Sequence, residues 1–393
     1  MLINYVTIAL RNLFKYKIFS FINIAGMSIS LASVLVIALF VHDELSYDQH
    51  ISNVDRKFRV YDISTLDDGQ VNTLAITPYP FATYLQKDYP EIESTLRIMD
   101  SGENLFEIGD KKIQEPAGIF AEPTVVDMFS LELLSGDAKT ILEKPVSVIL
   151  KKSLAEKYFG AEDPVGKTIK ISKEDYTVTG VFADPPQHFH LKINYVLSFT
   201  TLTRNFAPQR YENWQFQQYG TYIKVKPNVN ANELEAKLPD FAARYAHPKT
   251  KPEGLSYIPH LQSISDIHLH SADFQWDLAQ RGNAQSVYIL TFAGALILII
   301  ACLNFINLST ARSMKRMKEV GVRKVVGALR TQLIFQFITE SILIAFIGLA
   351  FAIAITELTL PLLNTFTEKN ISDPFNIMTI SFLIAGSILL GCL

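Results

Sequence analysis

Apolar residues along the chain gather in blocks separated by long stretches of mixed character. No formal charge occurs in the 25 residues between Lys17 and Asp43, the 30 between Arg281 and Arg312, or the 20 from Pro374 to Leu393. A helix rising 1.5 Å per residue needs about 20 such residues to cross a hydrocarbon layer of roughly 30 Å, so each block can span. A further block, Ser341 to Pro361, is interrupted only by Glu357 near one end. Glu340 and Glu357 can then lie near opposite interfaces and avoid the ~3 kcal/mol cost of a charge at mid-membrane. The pattern predicts four spans, at 19–41, 284–311, 331–360 (with an amphipathic entry) and 374–393, with a short outer loop at 361–373. The first span is too long for a signal-peptide core and no small-x-small cleavage site follows it, so it stays as an anchor.

Ahead of that span, Leu2, Ile3, Val6, Leu10, Leu13 and Phe14 recur at three and four residues, with Arg11, Lys15 and Lys17 on other faces. This predicts an amphipathic helix over 1–18 lying in the lipid interface. From 42 to 283 the pattern changes. Phe58–Ile63 alternates like a half-buried strand, and Pro80–Leu85 reads as a helix opened by proline. Leu154, Tyr158 and Phe159 share a helix face that Gly160 can close, Tyr176–Phe182 and Tyr222–Val225 read as strands, and Asn230 with Glu233 resembles a capping box. The fold class is therefore an α-helical integral membrane protein with a large α+β domain between helices 1 and 2.

Charge sets the orientation. The segment before the first span carries three basic residues and no acid; 312–330 carries seven basic residues against Glu319 alone. Basic flanks stay in the cytoplasm, so both are predicted inside and 42–283 outside. That outer segment holds 25 Lys plus Arg against 34 Asp plus Glu. Fewer than 40 residues lie inside, too few for a nucleotide-hydrolysing domain, so any cytoplasmic energy source is expected to be another polypeptide. An overall charge of −3 and a pI near 6.3 argue against a nucleic-acid binder, and 49% hydrophobic content against disorder. Cys302 and Cys392 both fall in spans, so core burial alone must hold the outer domain together.

Few motifs point to chemistry. Gly160–Thr168 (GAEDPVGKT) imitates a phosphate loop, but has five residues between its glycines, two of them acids, and reads as a helix end and turn. His188-x-His190 and His268-x-His270 could each offer two imidazoles to zinc if on strands, with Asp184, Asp266 or Asp273 as a further ligand; ordinary polar positions at strand ends are the alternative. The expectation is no catalytic centre, no metal and no cofactor. Asn23, Gly26 and Ser30 in the first span, Asn304 and Asn307 in the second and Gly348 in the third form stripes suited to helix packing rather than to a pore.

The segment Arg312–Glu340 is a basic helix projecting inward, with Gly321 and Gly327 as flex points and valines beside the charges. Such a segment suits docking onto a protein. Arg316, Glu319, Val320, Gly321, Val322, Arg323, Lys324, Gly327 and Ala328 resemble the signature of the FtsX-like, MacB-type permease family of ABC transporters. Thr77-Pro78 through Tyr89-Pro90-Glu91, Ser153–Lys167 and Asp266–Ser271 resemble that family's extracytoplasmic domain.

The resemblance implies one span, the outer domain, then three spans, in a bacterial cytoplasmic membrane. It implies that those nine residues form a coupling helix seated on a separate cytoplasmic ATPase subunit, which binds the ATP. It also implies dimerisation, with a second copy or with a similar permease half, and an additional membrane-fusion protein as partner. The outer domain is expected to have a base at 55–100 and 212–283 with an inserted lobe at 101–211. The function implied is mechanotransmission, driving efflux of antimicrobials or peptides, or lipoprotein release. The alternative is a regulatory scaffold that activates an outer-side enzyme such as a cell-wall hydrolase.

Overall fold

A computed structural model describes residues 2–315, 317–327, 329–371 and 385–386. They form two compact units, one of residues 46–283 and one of the helices on either side of it.

The helical unit opens with α1 (Leu2–Lys15) and α2 (Lys17–Leu45), and resumes with α3 (Ala284–Lys315), α4 (Met317–Val325) and α5 (Arg330–Thr367). By length and composition α2, α3 and α5 can each cross a membrane. The expected fourth span, 374–393, falls almost wholly outside the described residues. The periodicity of α1 divides between two environments. Leu13 packs with Met27, Phe305, Ile344 and Ala345, whereas Leu10 and Phe14 stay exposed. Asn12 Nδ2 donates to Glu340 on α5 at 3.4 Å, fastening α1 to the bundle.

Three helix boundaries lie beyond those expected: α2 runs past 41 to Leu45, α3 past 311 to Lys315, and α5 through Pro361 to Thr367. The outer loop placed at 361–373 is thus corrected to begin after Thr367. Proline lacks an N–H and costs the helix one bond, but it does not stop a helix already extended by its neighbours. Thr365 Oγ1 donates to the Pro361 carbonyl at 2.9 Å within the continuing turn.

The outer unit is built on one mixed sheet. Its strands are β1 (Lys57–Leu66), β2 (Val71–Leu74), β3 (Thr77–Pro78), β4 (Ile92–Ile108), β5 (Lys111–Ala121), β6 (Leu133–Ser135), β7 (Ser147–Lys151), β8 (Thr168–Ile171), β9 (Glu174–Phe182), β10 (Tyr195–Ser198), β11 (Gln217–Val225) and β12 (Leu255–Ser263). The main path runs β12-β1-β11-β4-β5-β10-β7-β9-β6. Parallel pairing occurs at β5 with β10 and at β7 with β9. The base–lobe division expected at 100/101 falls inside β4, whose 17 residues pair with β11 at one end and with β5 and β8 towards the other. Register shifts near Asp100–Asn104 bend the strand there without ending it.

Core clusters succeed one another along this sheet. One gathers Val60, Phe81, Trp214, Ile223, Phe241 and Tyr257. The next contains Leu96, Ile119, Phe129, Phe182, Phe189 and Tyr222, and a third Phe106, Leu150, Tyr158, Ile171, Tyr176 and Tyr195. The helix Lys152–Phe159 ends at Gly160, whose φ of +65° is a conformation that favours glycine. Alternation in β1 suggested one solvated face; instead Lys57, Arg59 and Asp62 are buried along with Val60. Both faces are covered, and those charges have partners from distant parts of the chain.

Candidate functional site

The segment expected to couple to an ATPase consists of α4 and the turns that flank it. Val326 N donates to the Val322 carbonyl and Gly327 N to the Lys324 carbonyl, both at 3.1 Å. Gly327, at φ +98°, reverses the chain at a conformation an L side chain rarely adopts. Gln332 Oε1 then accepts from Leu329 N at 3.3 Å as α5 begins. Between these ends the helix turns an apolar surface outward: Val322 is 65% exposed, Val325 89% and Val326 82%. A Cβ added to Gly321 would meet nothing within 4 Å, so this position faces open space. Arg323 points the other way and donates to Gln336 Oε1 on α5 at 3.1 Å. Gln336 is itself buried.

Among the signature residues, Glu319, Val320, Gly321, Val322, Arg323 and Lys324 lie in α4, and Gly327 just beyond it. Arg316 and Ala328 fall outside the described residues. The packing stripes are divided. A Cβ on Gly26 would lie 3.7 Å from Asn304 Nδ2, and one on Gly348 would lie 3.0 Å from Met27 Sδ, so both glycines sit at helix contacts. Asn23 is buried, Ser30 half-buried, and Asn307 exposed.

The histidine pairs do not have the strand geometry that two-imidazole ligation needs. His268-x-His270 is on the helix Ile264–His270, and His188–His190 lies in a loop before β10. Two residues apart on a helix do not share a face, so that reading is corrected. His268 stacks on Tyr47 with ring centroids 3.4 Å apart, and His188 meets the edge of the same ring. His190 Nδ1 pairs with Asp48 Oδ1 at 2.7 Å, and Asp48 Oδ1 also accepts from His190 N. No group of three or more potential metal ligands occurs among the described residues. The phosphate-loop lookalike is a turn, with Gly166 N donating to the Val178 carbonyl and Lys167 paired with Glu162.

Several organising residues were missed from sequence. Arg59 Nη1 donates to both carboxylate oxygens of Asp277 at 2.8 Å, while Nη2 donates to Gln262 and Ser271. This fixes the segment leading towards α3 onto β1. Lys57 Nζ donates to the Asp127 carbonyl at 2.6 Å, and burial pushes its ammonium pKa down to about 8. Asp62 is fully buried, which raises its carboxyl well above the usual range. At the outer end of the helical unit, Lys369 Nζ reaches Asp43 at 2.6 Å and also Glu44. Two consecutive acids at the close of an apolar block were the available signal for that contact. In the outer unit, a cleft of about 500 Å³ contains Tyr79, Thr124 and Phe199, with Arg97 and Glu122 paired to each other.

The architecture defines a membrane protein with a helical permease-like unit and a large α+β domain. A family model described as the MacB-like periplasmic core domain matches residues 20–241, and one described as the FtsX-like permease C-terminal matches 291–393. The chain belongs to the FtsX-like, MacB-type family of ABC transporter permeases. It is 22% identical over 351 residues to the macrolide export ATP-binding/permease protein MacB of Neisseria meningitidis, covering 85% of this chain and 49% of that relative. The namesake from Bdellovibrio bacteriovorus is 24% identical over 211 residues, covering 53% of this chain and 30% of its own. The chain thus spans about half the length, or less, of these curated relatives. Among solved structures, a domain of a permease protein from Porphyromonas gingivalis matches with TM-score 0.49 at 22% identity, covering 55% of this chain and 92% of that one. The periplasmic region of MacB from Actinobacillus actinomycetemcomitans gives 0.39 at 16% identity, covering 55% and 94%.

Proposed function

We propose that this chain is a permease subunit that converts ATP hydrolysis by a cytoplasmic partner into movement of its outer domain, for export of a substrate. The observation that carries this reading is the exposed valine surface of α4, backed by the Arg323–Gln336 bond to α5. An exposed apolar patch on a helix fastened to a longer one is suited to receive a displacement from a docked protein and pass it on. Export follows from the macrolide-export name of the relatives; antimicrobials, peptides and lipoproteins are the substrate classes in view. Two copies, or one copy with a similar half, would present two such surfaces to a pair of ATPase subunits, and a membrane-fusion protein would extend the outer side.

The test separates docking from transmission. Val325→Asp should abolish co-purification with the ATPase subunit while leaving membrane insertion intact, because a charge is driven into an apolar contact. Arg323→Ala should retain the ATPase but uncouple its hydrolysis from export. Retained co-purification in Val325→Asp would overturn the docking assignment. Normal export with altered cell-wall turnover in Arg323→Ala would favour regulation of an outer-side hydrolase instead.

A further inference from the structure

The chain has two tryptophans, in opposite environments. Trp214 is 1% exposed, enclosed by Phe81, Phe241 and Tyr245. Trp276 is 75% exposed. A single exposed apolar residue is ordinary and by itself means little. Trp276 differs because the surrounding structure holds it outward. Its backbone lies at φ +55°, a left-handed conformation that is uncommon for a bulky L residue and costs on the order of 1 kcal/mol or more.

The residues on both sides are fixed. Gln275 N donates to the Thr73 carbonyl at 2.8 Å, and the Gln275 carbonyl accepts from Ala75 N at 3.0 Å. Asp277 is gripped by Arg59, and its Oδ1 also accepts from Ala279 N. Arg281 Nη1 holds the carbonyls of Ser271, Ala272 and Phe274. The loop around the indole is therefore rigid, and its strain is sustained by these contacts. Leu278, two residues on, is also exposed.

The short chain distance to α3 puts the headgroup layer within reach of this side chain. Ala284, where that membrane-crossing helix begins, is the eighth residue after Trp276, a reach of at most about 28 Å even fully extended. Tryptophan has an apolar ring system and one N–H donor, and it is enriched at the headgroup level where both can be satisfied. We propose that Trp276 inserts into the lipid headgroup layer.

The measurement uses the full chain in nanodiscs holding one copy each. Trp emission is compared in phosphatidylcholine and in phosphatidylcholine brominated near the glycerol end of its acyl chains. Native protein should lose the Trp276 share of its emission to bromine. The Trp276→Phe variant, whose remaining tryptophan is the core Trp214, should lose none of its tryptophan emission, and this surface substitution leaves the core packing untouched. Equal quenching of native and variant, or none in either, overturns the proposal. Protection of Trp276 from acrylamide without bromine quenching also overturns it, since that pattern identifies a protein contact.

Discussion

Lys57 and its neighbours show how a residue's setting overrides the local pattern. Alternation in Phe58–Ile63 implied that Arg59 and Asp62 meet water, yet both are buried, and so is Lys57 just ahead of them, with its ammonium bonded to the Asp127 carbonyl. Burial lowers its pKa from 10.5 to about 8 in the folded chain. Below about 8 both folded and unfolded chains carry this proton, and the cost of burying the charge is present in full. Between about 8 and 10.5 the unfolded chain binds the proton that the folded chain has released, so the contribution of Lys57 to stability rises with pH. Lys57→Met, nearly equal in length, lacks that titration. Denaturant unfolding of the detergent-solubilised chain should show the difference between Met variant and native shifting in favour of the native lysine from about pH 7 to about pH 9. A constant difference would mean that Lys57 titrates normally. The partner that makes this burial tolerable is 70 residues away, a separation no local pattern reveals.

Among whole elements, legibility followed periodicity. The long apolar blocks predicted α2, α3 and α5 because membrane-length apolar runs have few other solutions, and their ends were less visible because polar residues cap helices and continue them equally well. Strands such as β9 and β11 were recognisable from β-branched and aromatic alternation. The segment from Ser271 to Asn283 offered no period at all. It is ordered by side chains from elsewhere, chiefly Arg59, which is 1% exposed and bonded to Asp277, Gln262 and Ser271. Removing one partner of a buried ion pair leaves an uncompensated charge, at a cost of about 3–5 kcal/mol. Arg59→Ala should therefore lower unfolding stability by that order and open Ser271–Asn283 to limited proteolysis before the rest of the sheet. Unchanged cleavage there would show that the Arg281 contacts suffice. The coupling segment was read from sequence by its charge and glycines, and the structure adds the outward valines and the bond from Arg323 that the motif alone did not distinguish.

The chain as a whole is read as having its sheet domain and α4 on opposite sides of the membrane, an arrangement that follows from basic residues clustering around the coupling segment. Cysteines at Val71 and Val325, both well exposed, make this measurable. In intact cells a membrane-impermeant maleimide should label Val71→Cys from outside and leave Val325→Cys unlabelled until the membrane is opened. Labelling of both would refute the topology. The family assignment reaches across both units, since the matched regions lie in the outer domain with α2 and in the C-terminal helices.

The contact of Lys369 with Asp43 and Glu44 has a consequence for any measurement of distances within this protein. It rivets the far tip of α2 to the chain just beyond α5, so those two tips share one trajectory. Spectroscopic labels attached near them should keep a constant separation, an internal ruler against which displacements measured elsewhere can be calibrated.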